Sequence, residues 1–84
     1  MDMEKTIRLK VRRELSAGQH HTVIKLKGSL ISKGYTQIIH IEDQDEEFHL
    51  NSFEVPAEKQ IDAREYITAF VILKDLSETL SITE

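Results

Sequence analysis

From residue 5 to residue 15 the chain alternates, with Ile7, Leu9 and Val11 in one phase and Arg8, Lys10 and Arg12 in the other. Period two over this stretch predicts a half-buried strand. "SAGQ" (16–19) supplies turn residues, and a second alternation follows in "HTVIKLKG", with Ile24 and Leu26 inward and Lys25 and Lys27 outward. Gly28 interrupts that run, which predicts a bulge or bend before "SLIS" continues it. "SKG" (32–34) is a short hairpin connection in which Gly34 can take positive φ. "YTQIIHIE" then predicts a third strand and "EFHLNSF" a fourth, with "DQDE" (43–46) as the loop between them. Counting outward from that loop pairs Glu42 with Glu47, Ile41 with Phe48, His40 with His49 and Ile39 with Leu50. The register gathers the apolar pairs on one face, and a one-residue slip would turn them outward.

The last third reads as a helix. Pro56 suits a first helical position, and Asp62 and Glu65 stand in the spacing of a capping box. On a 3.6-residue wheel Tyr66, Ala69, Phe70, Leu73, Leu76 and Leu80 share one broad face, with Lys74, Asp75 and Glu78 opposite. "YITAFVIL" (66–73) is also rich in β-branched and aromatic residues, as a buried strand would be. "LSITE" predicts a short extended tail. The expected fold class is therefore α+β, a four-stranded antiparallel β-meander followed by a C-terminal amphipathic helix. The alternative is a small all-β five-stranded barrel with residues 66–73 as its last strand.

Eighty-four residues make a single small domain spanning 1–84, with residues 1–4 expected to be flexible. The chain contains no cysteine, which removes disulfides, thiolate metal sites and cysteine nucleophiles, and favours a reducing, cytoplasmic setting. The N-terminal "MDMEKT" does not read as a signal peptide, and no apolar run approaches the roughly 20 residues that span a bilayer, so no membrane partner is expected.

Charge changes the picture more than composition does. The chain carries a net −4, yet residues 1–34 hold eight Lys/Arg against three acids, and residues 35–84 hold three against twelve. Such asymmetry is a partner signal, and it also lets two halves of one fold attract each other. If the first two strands pair, Arg8, Lys10, Arg12, Arg13, Lys25 and Lys27 form one basic face. Like charges across a ladder are tolerated best beside anions. A basic β-ribbon can track phosphates, although the aromatic side chains that stack bases are missing from both strands.

His40 and His49, as a cross-strand pair near Glu42 and Glu47, are weak candidates for a metal, since two histidines and a carboxylate suit zinc while structural sites take four ligands. "EDQDEE" (42–47) lacks the spacing and central glycine of a calcium loop. No phosphate loop or nucleophile motif is present, which argues against an enzyme and against a cofactor. In the helical reading Ile67 and Val71 project from the polar side, and a protein interface or a homo-oligomer would cover them. The chain is expected to be a non-catalytic protein-interaction module or regulator inside the cell, acting on a macromolecular partner. The alternative is a nucleic-acid-binding protein using the ribbon 5–13/22–27.

Overall fold

The structure is a computed structural model that describes residues 4–83. Its elements run β1 (Glu4–Arg12), α1 (Ala17–Ser32), β2 (His40–Asp43), β3 (Phe48–Pro56), a 3₁₀ turn (Ala57–Lys59), α2 (Gln60–Leu73) and β4 (Leu80–Thr83). The four strands form one antiparallel sheet in the order β2-β3-β1-β4. Two β-α-β units interleave so that each places a strand of the other between its own two. This is the split βαβ, ferredoxin-like arrangement.

The chain is thus α+β with a four-stranded antiparallel sheet, but it is neither a meander nor a barrel. Residues 17–32, expected as strand, bend and strand, form α1. Ser16 caps it: the hydroxyl accepts from the Gln19 amide at 3.1 Å, and the Gln19 side chain accepts from the Ser16 amide at 3.0 Å. That reciprocal box satisfies amides which a helix start otherwise leaves unpaired. Val23, Leu26 and Leu30 then recur at helical spacing and are buried. At the other end Gly34 takes φ 80, while the Gly34 amide donates to Ile31 O and the Tyr35 amide to Leu30 O. Those two bonds are a Schellman motif, so Gly34 stops a helix and does not turn a hairpin.

α2 follows the 3₁₀ turn, and its start differs from the expected box: Pro56 closes β3, and no side chain caps Gln60. The helix ends at Leu73, where Asp75 takes φ 56 and the amides of Asp75 and Leu76 donate to Ile72 O and Val71 O. This second Schellman motif cuts Leu76 and Leu80 off from the helix face assigned to them. Both are nonetheless buried, and the tail beyond them becomes β4, paired along β1 from Val11 to Arg8. The buried line of α2 is Ala63 and Ile67, with Tyr66, Phe70 and Val71 packed beside it. Ile67 has no exposed surface and belongs to the core, and half-buried Val71 packs against it, so the expectation that the pair projects from a polar side of the helix is corrected. Leu73, expected inward, is 79% exposed.

One side of the sheet carries both helices. Ile7, Leu9, Val11, Phe53, Val55 and Leu80 point to it and meet Val23, Leu26, Leu30, Ala63 and Ile67. Burying each large apolar side chain contributes about 1.5–3 kcal/mol, and Phe53 is the largest that is fully buried. Glu4 opens β1, and residues 1–3 of the segment expected to be flexible lie outside the described residues. Among the described residues no helix is long and apolar enough to cross a membrane.

Candidate binding surface on the open sheet face

The sheet side away from the helices is uncovered, and the register fixes what it presents. Pairing of Leu9 with Asn51 and of Ile7 with Phe53 sends the alternate pairs outward: Thr6 with Glu54, Arg8 with Ser52, Lys10 with Leu50 and Arg12 with Phe48. From the flanking strands His40, Glu42, Ser81 and Thr83 join the same face. Since β1 and β3 are the inner strands, the basic row runs down the middle of the face with the row Phe48, Leu50, Ser52 and Glu54 alongside it.

The expected basic set divides three ways. Arg8, Lys10 and Arg12 stand together as foreseen. Lys25 and Lys27 are on α1, in the layer on the other side of the sheet, and cannot extend the row. Lys27 is half-buried, and that burial lowers its pKa from 10.5. Arg13 is spent on structure: its Nη2 lies 2.8 Å from Asp43 Oδ1 and its Nε donates to Asp45 O at 2.8 Å. It thereby ties the end of β1 to the β2–β3 loop, whose fold Asp45 sets by accepting from the amides of Glu47 and Phe48. Two acids of the 42–47 run are thus engaged in the hairpin.

Arg8, Lys10 and Arg12 form no ion pair with any described carboxylate. Arg12 Nε donates to Glu78 O at 2.8 Å, which orients its guanidinium without neutralising it. Lys10 Nζ sits 4.2 Å from the centroid of the Phe48 ring, and the Arg12 guanidinium carbon 5.3 Å from it. The aromatic ring that the first two sequence segments lacked is therefore supplied by β3, in contact with both cations. The sign that could have revealed it lay in "FHLNSFEV" itself: Phe48 and Leu50 alternate in one phase, Phe53 and Val55 in the other. Both phases cannot be buried by one helix layer.

The β2–β3 register departs from the expected one by three residues, pairing His40 with Ser52, Ile41 with Asn51, Glu42 with Leu50 and Asp43 with His49. An odd shift exchanges the faces. His40 now lies on the open face, whereas His49 lies on the helix side with Nδ1 3.3 Å from Asp43 Oδ1. The proposed metal pair is separated by the sheet, and no group of three or more potential metal ligands occurs among the described residues. His20 and His21 are on α1, exposed.

β2 pairs only with residues 49–52 of β3, and the segment leading into it stands off from 53–56. The gap is a cleft of about 530 Å³ lined by Thr6, Tyr35, Thr36, His40, Ser52 and Glu54 among others. It opens onto the same face as the basic row and continues it towards β2. Comparison with protein-family models, with curated proteins and with solved structures gives no match to this chain.

Proposed function

We propose that this chain is a non-catalytic binding module whose open sheet face receives an acidic segment of a protein partner. The observation that carries the reading is the central row Arg8, Lys10 and Arg12, unpaired with described carboxylates and flanked by Phe48 and Leu50. A charge stripe beside an apolar stripe suits a segment that alternates acids with apolar residues: the charges steer the encounter and the apolar row is covered on docking. Three cations are also a modest set for a polyanion. For a single strand they would give a salt slope of only about 2, on a protein whose net charge repels nucleic acid.

One observation favours a second reading. Phe48 on an inner strand of a four-stranded sheet, beside Lys10 and Arg12, is the arrangement on which single-stranded bases stack, each stack worth about 1–3 kcal/mol.

Fluorescence anisotropy separates the two, using a labelled peptide in which Glu alternates with Phe and a labelled oligo-dT, each at about 50 and 200 mM salt. The first reading expects saturable binding of the peptide, lost when Arg8, Lys10 and Arg12 are all changed to Glu. Binding of oligo-dT alone gives the second reading. Equal binding by wild type and triple variant removes both.

A further inference from the structure

The edge of the sheet at β2 and the neighbouring flank of α1 carry exposed apolar side chains that the binding face does not use. Ile41 points to the helix side, since it pairs with buried Asn51, and is 58% exposed. Beyond β2 no strand follows, so its outer backbone edge is free for pairing among the described residues. On α1, Ile24 and Ile31 are about half exposed. Seven residues apart, they fall within about 20° of each other on the helical wheel and roughly opposite Lys33. Lys33 Nζ reaches over the Tyr66 ring of α2 at 5.0 Å, and half-buried Thr22 and Ser29 share that flank. The Ile24–Ile31 flank therefore faces away from α2, towards the β2 edge, on the same side of the sheet as Ile41.

The occupant is indicated by the order of side chains along β2. In His40-Ile41-Glu42 an apolar residue stands between a basic and an acidic one. Antiparallel pairing of β2 with β2 of a second copy, centred on Ile41, sets Ile41 against Ile41 and each His40 against the other copy's Glu42. An imidazole then faces a carboxylate twice, and the interface is isologous, as a two-fold axis requires. The axis also runs α1 antiparallel to α1 of the other copy, which brings Ile24 of one against Ile31 of the other. We propose that two copies of this chain associate through their β2 edges into one continuous eight-stranded sheet. The open faces of both copies then lie on the same side.

Sedimentation equilibrium of the full chain over about 10 µM to 1 mM tests the association by mass action. The expected result is a concentration-dependent mass rising from 9.7 kDa towards twice that value. Ile41→Lys should weaken the dimer by about tenfold or more, and His40→Glu, which sets Glu against Glu42 of the other copy, should do likewise. The double change His40→Glu with Glu42→Lys sets Glu against Lys and should recover most of the affinity. Far-UV circular dichroism of each variant separates loss of pairing from loss of fold, and Ile41, His40 and Glu42 are all exposed. A monomer across the whole range overturns the proposal, and so does a dimer that folded Ile41→Lys and His40→Glu leave unchanged, or a double variant no better than His40→Glu.

Discussion

Lys10 and Phe48 are neighbours on the open sheet face, the ammonium 4.2 Å from the ring centroid, although 37 residues and one helix separate them along the chain. The contact joins a strand rich in charge to one rich in apolar groups, and it lies outside the core. Cation–π pairs at exposed positions contribute about 0.5–1 kcal/mol, too little to account for placing three cations and two large apolar side chains on one uncovered surface.

Changing Arg8, Lys10 and Arg12 together to Glu should therefore leave the fold intact. No described carboxylate would lose its partner, and the core on the other side of β1 is untouched. Urea denaturation should show a loss of no more than about 1–2 kcal/mol, from the cation–π contacts and the Arg12 bond to Glu78. Unfolding of the triple variant would mean that the row is held by interactions with the rest of the chain.

Ser16→Ala should cost about 1 kcal/mol in urea denaturation, because it removes an N-cap acceptor and breaks the box with Gln19. Loss of helical signal localised to α1 in amide exchange would identify the cap as the cause.

Asp75 holds a left-handed conformation at the end of α2, with φ 56. Glycine adopts it without the Cβ penalty, so Asp75→Gly should raise stability by about 0.5–1 kcal/mol, read from the urea midpoint. A loss would show that the Asp75 side chain contributes more than its backbone strain costs.

Asn51 is 1% exposed on the helix side of β3, and its Oδ1 has no hydrogen-bond partner. Asn51→Leu, which keeps the number and branching of side-chain heavy atoms, should stabilise the domain by about 1 kcal/mol, the gain from removing an unsatisfied acceptor being partly offset by the larger volume. Destabilisation would point to an interaction of the amide group that its replacement breaks.

Lys27 supplies a pH dependence. Its folded pKa lies below the unfolded value of 10.5 because burial disfavours the ammonium. In the window between the two values the unfolded state binds more protons, so the Lys27 contribution to stability rises with pH there; below it the penalty is constant. Lys27→Met should thus stabilise the domain at neutral pH, and the advantage should shrink as pH rises towards 10.5. Chemical denaturation of both proteins at neutral and alkaline pH checks the sign.

Different parts of this fold were legible for different reasons. β1 could be read from alternation because Ile7, Leu9 and Val11 interleave with Arg8, Lys10 and Arg12. The helical nature of 60–73 followed from its length and polar positions, but its buried face did not: the Schellman turn at Asp75 ends the helix early and rotates the inward line to Ala63 and Ile67. α1 was hidden by two glycines and by Val23, Ile24 and Thr22, which favour strands. The decisive signals were the spacing Ser16-x-x-Gln19 and the i, i+3, i+7 recurrence of Val23, Leu26 and Leu30. The binding surface was half legible. The charges of β1 were plain, while Phe48 was assigned inward because its phase competes with that of Phe53 and Val55, and only pairing with Ile7 decides between them.

The most direct test of the open face as the binding surface is a nitrogen-15 NMR titration of the intact chain with the peptide in which Glu alternates with Phe. Amide shifts should concentrate on β1 and β3, at Arg8, Lys10, Arg12, Phe48 and Leu50, and should vanish in the triple Glu variant. Shifts confined to α1 and α2, or identical in that variant, would contradict the account.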